Sequence, residues 1–280
     1  MLSVLKLDKV TKVFNKGTSD EKKAINNLSL EVNDGDFITI IGSNGAGKST
    51  LFNIISGNVE IDEGSILLDG EDISGLSEYK RAKVIGRLFQ DPMKGTCPTL
   101  TVEENLGLAY LQSRGKGLFA HLNKDDKKYI KDRLALLDMG LEERTGSLMG
   151  LLSGGQRQAI TLLMATLTIP KLLLLDEHTA ALDPVTAEKV LSLTEDIVNK
   201  NKISTLMITH NMADALRLGN RLIMMKDGSI VLDISGEEKK GYTVEKLLKK
   251  FKENTGEALI MIEFYYDQDK CDETARSEKD

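Results

Sequence analysis

Gly42-Ser43-Asn44-Gly45-Ala46-Gly47-Lys48-Ser49-Thr50 is the stretch that decides the fold. It follows Phe37-Ile38-Thr39-Ile40-Ile41, an apolar run rich in β-branched residues that predicts a buried strand. It precedes Leu51-Phe52-Asn53-Ile54-Ile55, apolar at helical spacing and stopped at Gly57. A glycine-rich turn between a buried strand and a helix start is the setting of a phosphate-binding loop. Its glycines let the backbone approach a ligand closely, so successive N–H groups form an anion cradle. The helix adds its unpaired N–H groups and positive dipole end. In that arrangement Lys48 reaches the β- and γ-phosphates of a nucleoside triphosphate, and the Ser49 hydroxyl holds Mg²⁺. The loop alone reads as a triphosphate binder and nothing narrower.

The chain has 280 residues, enough for one large α/β domain or a core plus a smaller lobe. Apolar residues make up 41% and charged ones 29%, a globular balance. The net charge of −6 argues against a nucleic-acid partner, although a local basic surface stays open. Cys97 and Cys271 are too far apart in sequence for a disulfide framework or a zinc spacing, so two free thiols in a reducing compartment are expected. Residues 1–8 lack a signal-peptide layout, and no apolar run approaches the ~20 residues that span a bilayer. Work at a membrane would require docking on another chain.

Outward from the loop the pattern is that of a layered α/β chain. Residues 4–14 alternate as short strands, and residues 24–32 read as a half-buried strand. After the loop helix come a short strand over 64–70, a small helix over 78–82 and a strand over 84–89, ending at Gln90-Asp91-Pro92. From about Thr101 to Met149 strand-like runs are few; 102–111 and 124–137 read as amphipathic helices. Leu152-Ser153-Gly154-Gly155-Gln156 opens a helix reaching Ala165. Leu172-Leu173-Leu174-Leu175 is apolar without alternation, as in a strand buried on both faces of a parallel sheet. A helix from Pro184 to about Asn199, a buried strand over 203–208, and a hairpin around Asp227-Gly228 follow. Residues 244–251 predict an amphipathic helix, and the charged 267–280 stretch is expected to fray. No internal repeat is visible.

Two further features carry chemistry. The leucine run delivers Asp176 and Glu177 to the carboxyl end of a buried strand, where ligands bind in open α/β sheets. Adjacent carboxylates there are costly to bury without a metal or a shared proton. Asp176 fits a Mg²⁺ partner, direct or through water, and Glu177 fits the group that polarises an attacking water. Ser153 is a natural cap, and Gly154 and Gly155 open the N–H groups of a second anion-binding helix start.

With both features beside the 42–50 loop, the sequence resembles the ATP-binding subunit of an ATP-binding cassette (ABC) transporter. The likeness runs from about Val4 to Asp233. It implies a P-loop NTPase core with a mostly parallel sheet, an N-terminal antiparallel β subdomain and an inserted α-helical subdomain. Residues 1–92 and 151–240 would form the core with its antiparallel part, 93–150 the helical subdomain, and 241–280 a C-terminal helix and charged tail. By resemblance ATP and Mg²⁺ are bound. Phe14 stacks on adenine, where the family more often has Tyr. Gln90 touches Mg²⁺ or the lytic water and senses the membrane subunit, Asp183 lies in the dimer-contact loop, and His210 contacts the γ-phosphate. Members of the family pair head to tail. Each ATP lies between the loop matching residues 42–50 of one copy and the segment matching Ser153, Gly154, Gly155 and Gln156 of the other.

The likeness further implies a separate transmembrane permease, an extracellular substrate-binding protein, and a peripheral position on the cytoplasmic face of the cell membrane. His178 departs from the common pattern, in which a small or apolar residue follows the glutamate. His178-Thr179-Ala180-Ala181 resembles a subgroup of uptake ATPases, some linked to amino acids such as tryptophan. The alternative is a soluble ABC ATPase acting on ribosomes or DNA. Ribosome-acting relatives usually carry two cassettes and DNA-repair relatives a long coiled coil; neither pattern is present in this sequence.

Overall fold

A computed structural model describes residues 3–91, 93–115 and 121–255; Pro92, Cys271 and the charged 267–280 stretch lie outside them. Strands β1 (Ser3–Phe14) and β2 (Lys22–Asn33) pair antiparallel. The short strands expected over 4–14 are one strand, bulged where Lys9 takes a left-handed φ of 49° and the register slips between Leu7 and Val10. β3 (Phe37–Gly42) leads through the glycine loop into α1 (Lys48–Ser56). Gly57, also left-handed, ends α1, and buried Arg81 donates to the Ile54 and Ile55 carbonyls at 2.8 and 3.0 Å. β4 (Glu63–Leu68) and β5 (Glu71–Asp72) complete a four-stranded antiparallel sheet in the order β2-β1-β4-β5.

Next come α2 (Glu78–Arg81), β6 (Ile85–Leu88), α3 (Val102–Ser113), α4 (Lys124–Ala135), α5 (Gly154–Thr166), β7 (Leu172–Asp176), α6 (Pro184–Asn201) and β8 (Thr205–Ile208). The run closes with α7 (Met212–Arg217), β9 (Arg221–Lys226), β10 (Ser229–Ser235) and α8 (Gly236–Lys240). The second sheet has the order β10-β9-β3-β8-β7-β6. From β9 to β6 every pair is parallel; only β10 is antiparallel.

Leu172, Leu173, Leu174 and Leu175 are each 0% exposed, because helices cover both faces of a parallel sheet. Each such side chain contributes about 1.5–3 kcal/mol by burial. The helices between β6 and β7 use local capping chemistry. Thr101 with Glu104, and Asn123 with Asp126, form capping boxes at the starts of α3 and α4. Val102, Leu106, Ile130 and Leu134 then share an apolar cluster with Leu152, Ile160 and Leu163 at and along α5.

Two short helices fall outside the sequence expectation. α7 is capped by Asn211, whose side chain accepts from the Ala213 and Asp214 N–H groups. It docks on β3, where the buried Thr39 hydroxyl donates to the Ala215 carbonyl at 2.7 Å. α8 buries Lys239, whose ammonium donates to the Leu218 and Gly219 carbonyls. A second compact unit begins at Tyr242 and contains α9 (Val244–Thr255).

Candidate active site

Strands β3, β8, β7 and β6 are consecutive and parallel, with Ile40 opposite Ile208, Ile208 opposite Asp176, and Leu175 opposite Leu88. The residues that follow them therefore emerge at one edge: the glycine loop, His210, Glu177 and Gln90. This is the carboxyl edge, where open α/β sheets bind ligands.

The loop is built by close backbone approach. A Cβ on Gly42 would lie 2.4 Å from the Met225 carbonyl oxygen, and one on Gly47 would lie 2.5 Å from that of Ala24. Gly47 also has φ 101°, a conformation that L side chains rarely adopt. Ala46 is buried and its carbonyl accepts from the Gly228 N–H, tying the loop to the β9–β10 turn. Gly47 is the N-cap of α1 and gives no side-chain hydrogen bond, so the first N–H groups of α1 are left for a ligand. Ser43 and Thr50 are half-buried, and Asn44, Gly45 and Ser49 are exposed.

Lys48 is only 6% exposed, and its ammonium donates to the carbonyls of Gly42 at 2.6 Å and Ser43 at 3.0 Å. Burial lowers its pKa, and the charges of Glu177 and Asp176 oppose that shift. A buried cation, open helix N–H groups and a nearby carboxylate pair fit a magnesium triphosphate. Asp176, Ser49 and Gln90 carry the oxygen atoms that would suit such a metal.

Asp176 ends β7, and burial raises its pKa, opposed by Arg87 and Lys48. Glu177 holds φ 47°, a conformation that costs a non-glycine residue about 1–3 kcal/mol. Its N–H donates to the Ile208 carbonyl at 3.1 Å, and its own carbonyl accepts from Ala180 at 3.0 Å, which fixes the strained turn. The side chain meets His210: Nε2 lies 2.6 Å from Oε1. That hydrogen bond holds the Glu177 carboxyl below the usual range, so it is ionised at neutral pH. Gln90 is exposed in the turn after β6.

Phe14 ends β1 opposite Lys22. A Cβ on Gly45 would lie 3.4 Å from the Lys22 ammonium, so this end of the hairpin borders the loop. The Lys12 ammonium lies 5.5 Å from the Phe14 ring centroid. Ser153 caps α5 by accepting from the Gln156 N–H, while Gln156 accepts from the Ser153 N–H, both at 3.3 Å. Gly154 and Gly155 form the first turn. A Cβ on Gly155 would lie 2.0 Å from Thr186 Cγ2, so α5 packs onto the start of α6. Asp183 caps α6, accepting from the Thr186 N–H at 3.0 Å, and hydrogen bonds from the Thr186 side chain and N–H lower its pKa. The structure thus gathers Lys48, Asp176, Glu177 and His210, with Phe14 and Gln90 on elements that border them. Ser153 and Asp183 cap α5 and α6, and Gly155 packs against Thr186 between those helices.

His178 is 1% exposed inside the fold. Its Nε2 lies 3.2 Å from the Thr194 hydroxyl, which itself donates to the Val190 carbonyl at 2.8 Å. The hydroxyl therefore accepts from Nε2–H, and Nδ1 is left buried without a partner among the described residues. Burial lowers the imidazole pKa to about 4, so it is neutral. Arg87 was not among the candidates. It sits in β6 beside Asp176, and its one sequence signal is a charge inside an otherwise apolar strand.

A phosphate cradle with a buried lysine, facing a carboxylate pair of which a histidine holds Glu177 ionised, defines a P-loop nucleoside triphosphatase. The chain belongs to the ABC transporter family: the family model described as "ABC transporter" matches residues 25–180. It is an ATP-binding subunit that hydrolyses ATP to energise transport. It is similar to the tyrosine transport ATP-binding protein of Clostridioides difficile (strain R20291), with 45% identity over 251 residues, covering 89% of this chain and 98% of that one. The methionine import ATP-binding protein MetN of Escherichia coli (strain K12) is 34% identical over 257 residues, covering 90% of this chain and 71% of that one. Among solved structures, a dimeric post-hydrolysis state of the ATP-binding cassette MJ0796 bound to ADP and Pi has a TM-score of 0.71 at 29% identity. It covers 82% of this chain and 98% of its own. These relatives favour transport over action on ribosomes or DNA.

Proposed function

We propose that this chain powers an importer of a small solute, working as a head-to-tail homodimer on a separate permease at the cytoplasmic face of the cell membrane. The observation that carries the catalytic part is the 2.6 Å Glu177–His210 contact beside Lys48, at the edge where the phosphate loop opens. Glu177, kept ionised, accepts the proton of the attacking water. His210 orients that carboxylate and meets the terminal phosphate. Lys48 and the α1 N–H groups bind the β- and γ-phosphates, with the 42–50 backbone as cradle and Phe14 against the adenine.

Ser49 and Asp176, with Gln90, hold Mg²⁺, which when bound neutralises charge on the phosphates. Ser153, Gly154, Gly155 and Gln156 of the second copy close over the same nucleotide, and Asp183 lies at the seam. Ser153 supports this reading, because its capped helix start is a second anion site in each chain. Charge neutralisation and positioning then carry most of the rate.

The permease docks near Gln90. A groove of about 240 Å³ lies there, lined in part by Arg87, Phe89, Gly95, Gln112 and Met164 between the core and the α3–α5 helices. Tyr79 on α2 and Leu108 on α3 are 65% and 52% exposed, apolar surface of the kind a partner covers. Among the described residues no helix is long and apolar enough to cross a membrane. In this reading attachment is peripheral, through the permease.

The solute is an amino acid, an aromatic one by likeness to the tyrosine transport relative, and an extracellular binding protein delivers it. The test is uptake into proteoliposomes carrying this chain, its permease and the binding protein. The reading predicts uptake of an aromatic amino acid that requires ATP on the side of this chain. Extrusion, or ATP hydrolysis indifferent to the loaded binding protein, contradicts it.

A further inference from the structure

Arg87 joins three parts of the site. Its guanidinium donates through Nη1 to the Ser56 hydroxyl at 2.9 Å and through Nη2 to Asn53 Oδ1 at 2.8 Å, both on α1. The same Nη2 lies 3.6 Å from Oδ2 of Asp176. The guanidinium carbon stacks 4.6 Å from the Phe89 ring centroid, one residue before Gln90. The side chain is 10% exposed. Burying a cation this far costs free energy unless fixed partners repay it, which is a poor use of a strand position that an apolar residue would fill. Arginine's planar fork also locks geometry in a way that a lysine cannot.

We propose that Arg87 is a positioning residue for Mg²⁺ binding: by holding Oδ2 of Asp176 it fixes the carboxylate that would serve the metal. The inference rests on the assignment of Asp176 to the metal. Asp176 and Glu177 are adjacent carboxylates, and a fixed cation beside Asp176 opposes their mutual repulsion. Lys48 donates to the loop carbonyls and is assigned to the phosphates, whereas Arg87 pairs with Asp176 directly. By anchoring to Asn53 and Ser56, Arg87 also sets the distance between β6 and the phosphate-loop helix. Outer partners of metal ligands act in this way.

The experiment titrates Mg²⁺ against fluorescent-nucleotide binding for wild type, Arg87→Met, Arg87→Lys, Asp176→Asn and the Arg87→Met/Asp176→Asn double variant. Thermal unfolding and Mg²⁺-free nucleotide affinity are recorded alongside. The expected result is a rise of about 10-fold or more in half-saturating Mg²⁺ for Arg87→Met, with Mg²⁺-free affinity unchanged. Arg87→Lys should fall between it and wild type. In the Asp176→Asn background, Arg87→Met should add nothing. Unchanged or tighter Mg²⁺ binding in Arg87→Met overturns the proposal, as does a loss of Mg²⁺-free affinity or folding as large as the Mg²⁺ effect. If Asp176→Asn itself leaves Mg²⁺ dependence intact, the metal assignment fails and the proposal falls with it.

Discussion

Glu177 brings together a strained backbone, a bond to His210 and a neighbouring carboxylate, and its role sets the sharpest prediction at the residue scale. Glu177→Gln should keep Mg·ATP affinity near wild type while turnover drops about 10²–10⁴-fold. Steady-state phosphate release against ATP binding measures both, and preserved turnover would remove Glu177 from its role. Lys48→Ala should weaken ATP binding by about 10-fold or more, since a charge-assisted hydrogen bond is worth about 1.5–3 kcal/mol. Isothermal titration reads that loss directly.

His178 gives a pH prediction. Its native pKa is about 4, below the ordinary value of 6.5, so between those values the unfolded chain binds more protons than the folded one. Its contribution is whole above pH 6.5 and is lost as pH falls towards 4. About 2 kcal/mol should be gone by pH 5. Urea unfolding at pH 7 and pH 5 should show that loss in wild type and less of it in His178→Gln; equal losses would refute it. Residues of the loop and the carboxylate pair were legible because their chemistry demands fixed spacing. Arg87 was not, since a charge inside an apolar strand does not say whether it faces water or the half-buried Asp176.

At the scale of elements, α5 and α6 meet at a contact that tolerates no side chain. A Cβ on Gly155 would press to 2.0 Å on the Thr186 methyl group. Gly155→Ala should therefore cost about 1–3 kcal/mol of stability, and Thr186→Ala should return most of it in the double variant. Thermal or urea unfolding of the three variants checks this. Absence of rescue would mean that the strain lies elsewhere.

β3 could be read from its run of β-branched apolar residues, α6 from Pro184 at its start, and the β9–β10 hairpin from Asp227-Gly228. α7 and α8 could not. Six and five residues give too little periodicity, and tertiary bonds from Thr39 and Lys239 hold the segments in place. β1 read as short strands because its bulge at Lys9 interrupts the alternation.

At the scale of the whole molecule, each chain carries two candidate anion sites of different origin. One is the open N-terminus of α1 beside Lys48, and the other is the Ser153-capped start of α5. Two copies related by a two-fold axis can bring the first site of each onto the second site of the other, closing the assembly without growth into a filament. Nucleotide then holds the copies together, and its cleavage releases them. The most direct measurement is a crystal structure of Glu177→Gln with Mg·ATP. The account predicts two copies with each γ-phosphate within about 3 Å of the other copy's Ser153 hydroxyl. A complex in which ATP fills the 42–50 loop while the other copy's Ser153 lies far from the terminal phosphate would contradict it.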